Sequence, residues 1–115
     1  MIGELLRSTE LACQQRRFDE ADAKCREALA LDPENAHAKL LACLIAEATG
    51  DRARALSMAR EAAASDPAFL EAHVKLATLL RQAGMTSEAI EICAEFVRRN
   101  PAAAIMHGIL GLCLM

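Results

Sequence analysis

Along this chain, apolar and polar residues are spaced as helices require. In "AFLEAHVKLATLLRQAG", residues 68–84, Leu70, Val74, Leu76, Ala77, Leu80 and Ala83 recur largely at three- and four-residue steps, while Glu71, Lys75, Arg81 and Gln82 mark other faces. Gly84 suits the left-handed residue that closes such a helix. Thr86 or Ser87 then offers an N-cap for the next helix, with Glu88 early in its first turn, and Gly50-Asp51 does both jobs one stretch earlier. Asp32-Pro33, Asp66-Pro67 and Asn100-Pro101 each stop a helix, because the residue before proline is pushed out of the helical region. The proline then fits the first turn of the helix that follows, where its missing N–H is not needed. The pattern predicts seven helices, at 2–15, 18–31, 34–48, 52–64, 68–83, 86–99 and 102–114.

These helices repeat. Pro33, Pro67 and Pro101 are 34 residues apart, as are Gly50 and Gly84, and Ala21, Ala55 and Ala89. A period of this length is the mark of a stacked helical array, in which one unit cannot bury its apolar face alone. The whole chain is then one domain of about three units, 2–35, 36–69 and 70–103, with a half unit at 104–115.

Composition strengthens the all-α reading. Alanine and leucine dominate, aromatics are 3%, and there are only 5 glycines and 3 prolines. Such residues lose little side-chain freedom in a helix. A net charge of −3 gives no electrostatic reason to bind nucleic acid. Arg16-Arg17 and Arg98-Arg99 are isolated and read as solvated faces. The start, "MIGELLRSTE", contains no run like a secretory leader, so a cytoplasmic setting and reduced thiols are expected for the 5 cysteines, which form no C-x-x-C pair. The uncharged stretch from Asn100 to Met115 is shorter than the roughly twenty residues a membrane-spanning helix needs, so no span is expected.

The period, with Ala21, Cys25 and Pro33, then Ala55, Ala59 and Pro67, then Ala89, Cys93 and Pro101, resembles the tetratricopeptide repeat family. His73, Leu76, Ala77 and Leu80 carry the first-helix half of the motif best; Lys39, Ala42, Cys43 and Ala46, and Leu5, Ser8, Thr9 and Ala12, carry it more loosely. The large aromatics of the family are replaced here by small or aliphatic residues. His107, Leu110, Gly111 and Leu114 fit the first helix of a fourth repeat. The resemblance implies a right-handed superhelical stack of antiparallel helix pairs, with the first helices lining a concave groove. It also implies a non-catalytic interaction module that holds a protein or peptide partner.

Carried over position by position, the groove would be lined by Leu6, Glu10, Cys13 and Gln14, then His37, Leu40, Leu41, Leu44 and Glu47, then Glu71, Val74, Lys75, Thr78 and Arg81, and lastly Ile105, Ile109 and Leu112. Some family members grip a C-terminal carboxylate with a basic clamp. Here most matching positions are Leu6, Glu10, Leu41 and Glu71, with Lys75 alone basic, so an apolar or amphipathic helical segment is the expected ligand. Leu41 and Leu44 have a second reading, as packing between helices.

Catalytic chemistry finds no foothold in the sequence. His37, His73 and His107 fall on successive first helices, which pack about 8–10 Å apart and so do not converge on one metal. Cys25 and Cys93 read as buried thiols, and no phosphate loop or serine elbow occurs. No enzyme activity, metal or cofactor is expected. The alternative is that the repeats belong to a larger enzyme or secretion-related protein and position a domain absent here. Ile109 and Leu112, on a helix with no second helix to cover it within the sequence, point to self-association through residues 102–114 or to burial of that face by further residues of a parent protein.

Overall fold

Residues 2–100 and Gly108 are described by the computed structural model. Six helices run through them: α1 (Ile2–Gln14), α2 (Phe18–Leu31), α3 (Ala36–Ala48), α4 (Arg52–Ser65), α5 (Leu70–Gln82) and α6 (Thr86–Arg99). No strand occurs among the described residues. The all-α repeat architecture expected from the 34-residue period is therefore observed, and the seventh expected helix, 102–114, lies outside the described residues.

Within each pair the two helices are joined by a tight, hydrogen-bonded turn. At its centre stand Arg16 (φ 61°), Gly50 (φ 86°) and Gly84 (φ 81°), all left-handed. The amide one residue further reaches back to close the preceding helix: Arg17 N–H to Ala12 O, Asp51 N–H to Ala46 O, and Met85 N–H to Leu80 O, each at 2.8 Å. This is the Schellman closure, which occupies helix carbonyls that would otherwise lack partners. The Asp51 carboxylate accepts from Arg54 N–H at 3.1 Å and caps α4, as the sequence suggested. At α6 the expectation fails. The cap position is Met85, without a side-chain bond, and Thr86 is already helical.

A second correction concerns the prolines. Helices α3 and α5 begin at residues 36 and 70, not 34 and 68, so Pro33 and Pro67 precede them. Asn35 N–H donates to Asp32 O and Phe69 N–H to Asp66 O, both at 3.1 Å, which makes each proline the second residue of a hydrogen-bonded turn. Proline's fixed φ suits that position as well as it suits a helix start. Asn35 then supplies the α3 cap through its side-chain oxygen, which accepts from Ala38 N–H at 2.9 Å.

The core is built largely from small side chains. Among the described residues, thirteen of the twenty-three buried apolar side chains are alanines, with Ala21, Ala55 and Ala89 all at 0% exposure. Small residues let helices approach closely, while Leu76, Leu79, Leu80 and Phe96 supply the larger apolar areas. Burying a leucine such as Leu80 contributes about 1.5–3 kcal/mol. The largest cluster joins α3, α4 and α5 through Leu40, Cys43, Ala59, Leu76 and Leu80. A second joins α1, α2 and α3 through Ala12, Cys25, Leu41 and Ile45, and a third joins α5 and α6 through Ala77, Cys93 and Phe96.

Hydrogen bonds and ion pairs link the same elements from repeat to repeat. Glu10 meets His37 at 2.6 Å and Glu47 meets Lys75 at 2.8 Å, tying α1 to α3 and α3 to α5. Asp22 meets Arg54 at 3.5 Å, and Arg60 meets Glu88, tying α2 to α4 and α4 to α6. The first helices thus form one layer and the second helices another. Lys39 stands where the family carries a large aromatic. Its stem is buried, and its ammonium donates to Ser65 Oγ at 2.9 Å and pairs with Glu34 at 3.5 Å, near the surface.

Candidate partner-binding face

The face of the first-helix layer is positioned by α1, α3 and α5. Of the residues expected there, Leu40 and Leu41 are 6% and 4% exposed and are committed to the two larger clusters. They cannot offer side chains to a ligand without unpacking the core. The reason lies in α3, which has neighbours on both sides and therefore buries most of its circumference. Leu6 and Leu44 are half-buried and pack against the α1–α2–α3 cluster, and Val74 is half-buried against the α5–α6 cluster. Cys13 is half-buried, Gln14, Glu71 and Arg81 are exposed, and Thr78 is half-buried, its hydroxyl donating to Val74 O at 2.8 Å. Ile105, Ile109 and Leu112 lie outside the described residues.

Two of the expected polar groove residues, Lys75 and His37, are already engaged within the layer. The Lys75 ammonium donates to Glu47 Oε1 at 2.8 Å, and His37 Nε2 meets Glu10 Oε1 at 2.6 Å. The His37 ring also stacks on Phe69, with centroids 6.2 Å apart. Glu10, His37 and Phe69 thereby connect α1, α3 and the residue that precedes α5.

A depression of about 210 Å³ opens on α5, lined by Leu70, Glu71, Val74, Lys75 and Thr78. Leu70 was missed by the sequence reading, although its four-residue step to Val74 places both on one side of the helix. Arg7 was missed as well. It is exposed on α1 and stands in 34-residue register with Leu41 and Lys75, which was the available signal. A second cavity of about 350 Å³ adjoins the same layer, lined by Asn35, Ala36, His37, Asp66 and Phe69.

Reactive chemistry does not gather on this face. Burial, reinforced by Asp22, pushes the Cys25 thiol up to about 11, and its S–H donates to Ala38 O at 3.2 Å. Burial, reinforced by Glu47, pushes Cys43 up to about 11 as well. Cys13 is raised by burial and then by Glu10. At neutral pH these are protonated thiols, which are poor nucleophiles. His73 is a packing residue, its ring 4.7 Å from Phe96 and its Nδ1–H donating to Phe69 O at 2.7 Å. Among the described residues no group of three His, Cys, Asp or Glu side chains lies close enough to hold a metal ion. None of their helices is long and apolar enough to cross a membrane.

Comparison with known proteins agrees with this geometry. Residues 46–113 and 10–68 match two family profiles, both described as tetratricopeptide repeat. No curated protein matches the chain in sequence. Among solved structures, an O-GlcNAc transferase mutant from Thermobaculum terrenum superposes with a TM-score of 0.80 at 24% identity, over 98% of this chain and 22% of that one. MamA superposes at 0.82 and 18% identity, over 97% of this chain and 66% of that one. The first TPR of Spaghetti (RPAP3), bound to the HSP90 peptide SRMEEVD, superposes at 0.83 and 16% identity, over 97% and 89%. At these identities the likeness is one of fold. The chain spans about a fifth of the transferase and about two-thirds of MamA.

Proposed function

This chain belongs to the tetratricopeptide repeat family, and from that premise we propose that it is a non-catalytic interaction module whose first-helix face holds an apolar or amphipathic segment of a partner protein. One observation carries the reading: the polar groups that face each other between the first helices are engaged with one another while apolar surface stays open. Glu47 occupies Lys75 and Glu10 occupies His37, whereas Leu6, Leu44 and Val74 keep partial exposure and the α5 depression is floored by Leu70 and Val74. The Spaghetti domain holds an acidic peptide. Here the one basic residue at the positions of the family's carboxylate clamp already has a carboxylate beside it, so an acidic chain end gains little. An apolar stripe gains more, about 25 cal/mol for each Å² withdrawn from water.

The test uses affinity capture with the wild-type chain, a Leu44→Asp variant and a Glu61→Lys variant on the exposed side of α4. Capture of a partner should be lost with Leu44→Asp and kept with Glu61→Lys, while the circular dichroism of both stays that of the parent. The opposite pattern would move the interface to the second-helix layer. Unfolding of Leu44→Asp would place Leu44 in the core, and Thr78→Arg then serves as the probe of the same face.

A second reading is favoured by the transferase, in which the matching region makes up 22% of the chain. In that reading the repeats hold a neighbouring domain of a longer polypeptide, and the coding sequence around this segment distinguishes the two.

A further inference from the structure

Resting on the binding face just proposed, the chemistry of its occupant can be narrowed from α5. Glu71, Val74, Thr78 and Arg81 follow one another at three- and four-residue steps and so share a side of the helix. Glu71 lies in the first turn and Arg81 in the last, about 15 Å apart along the axis. Of the three described first helices, α5 alone combines an acid in its first turn with a base in its last. Both side chains are exposed, and neither takes part in an ion pair with another described residue. The third charge on this side, Lys75, is spent on Glu47. What remains is an apolar floor, Leu70 and Val74, with a free anion at one end and a free cation at the other.

Both charges also complement the dipole of α5, which accounts for their sign but not for their sharing the open side with Val74. We infer that the face selects a dipolar amphipathic helix. Its apolar stripe seats on Leu70 and Val74, and it carries a Lys or Arg that meets Glu71 and, about three turns away, an Asp or Glu that meets Arg81. A neutral apolar helix would cover Glu71 and Arg81 without replacing the water they lose, and a helix of one sign would satisfy one end and repel the other.

The experiment measures fluorescence anisotropy of four synthetic helical peptides with the same leucine stripe. They carry Lys and Glu, Lys and Lys, Glu and Glu, or Gln and Gln at two positions about three turns apart. The Lys/Glu peptide should bind about three- to tenfold tighter than the Gln/Gln peptide at low salt, and the advantage should shrink as salt rises. In a Glu71→Gln, Arg81→Gln variant the advantage should disappear while the Gln/Gln affinity is unchanged. Equal binding of all four by the wild-type chain overturns the dipolar selection and leaves the apolar face standing. Tightest binding of the Glu/Glu peptide also overturns it and favours an acidic ligand. If none of the four binds, the face itself is not a helix-binding site and the proposal falls with it.

Discussion

Arg16 sits at φ 61°, in the left-handed region, where Gly50 and Gly84 sit in the next two units. The fold demands that geometry, because the Schellman closure of α1 runs through it. A side chain pays a steric cost there that glycine does not, and the guanidinium lying 5.9 Å over the Phe18 ring offsets only part of it. Arg16→Gly should therefore stabilise by about 0.5–1 kcal/mol, read as a higher urea midpoint at unchanged slope. A lower midpoint would mean that the Arg16–Phe18 contact outweighs the backbone strain. At Ala89, with 0% exposure, the opposite holds: Ala89→Leu should overpack and cost about 1–3 kcal/mol. A melt unchanged from the parent would mean that the site has room for a larger side chain. Cys25 and Cys43 give a pH dependence whose sign is fixed. Their folded values are raised from 9.0 to about 11, so folding prefers the protonated thiol, and stability present below pH 9 should be lost as pH rises towards 11. Urea midpoints across that window, compared with a Cys25→Ala, Cys43→Ala variant, check it; a slope as steep in the variant would assign the loss to other groups.

At the scale of elements, each junction between the described units is tied by a polar side-chain pair in each layer, and magnitude decides what these pairs do. Glu47 and Lys75 are both partly exposed, so a double-mutant cycle with Glu47→Gln and Lys75→Met should give a coupling of about 0.2–1 kcal/mol that falls with salt. Leu80→Ala, at the same layer's core, should cost about 2–5 kcal/mol. Apolar burial holds the stack, and the charges specify which helix sits beside which. A coupling above the cost of Leu80→Ala would reverse that order. The same contrast explains how much of the fold could be read in advance. Apolar periodicity and the Gly50 and Gly84 stops located α1, α2, α4 and α6 to within a residue at their starts, because core-facing spacing and backbone chirality are local properties. The starts of α3 and α5 were missed by two residues, because proline's preferred φ serves a turn and a helix start equally well and only the Asp32–Asn35 and Asp66–Phe69 bonds decide between them.

On the scale of the molecule, the candidate face was legible in outline through the 34-residue register, yet two of its expected members, Leu40 and Leu41, are core. Register identifies equivalent positions; it does not reveal that α3 is enclosed by neighbours on both sides while α1 packs mainly on α2 and less on α3. That asymmetry carries a consequence for stability. In a stacked array, each unit is held by its own pair and by its nearest neighbours, so protection should follow the number of covered faces. Helix α3 buries eight residues and α4 four, all of the latter in or beside the largest cluster, whereas α1 buries only Thr9 and Ala12. Amides of α3 and α4 should therefore exchange slowest under native conditions, and those of α1 should exchange earlier through opening of the edge, without global unfolding. Hydrogen exchange followed by mass spectrometry on peptides spanning 2–14, 36–48 and 52–65 measures this directly. The order should persist in mild urea, with the α1 rate depending less on denaturant than the α4 rate, because edge opening exposes less surface. If α1 and α4 exchange in step at every urea concentration, the chain unfolds as a single cooperative block. The alanine-rich interfaces between units would then be as strong as the contacts within them, and the edge would have no separate freedom to open towards a partner.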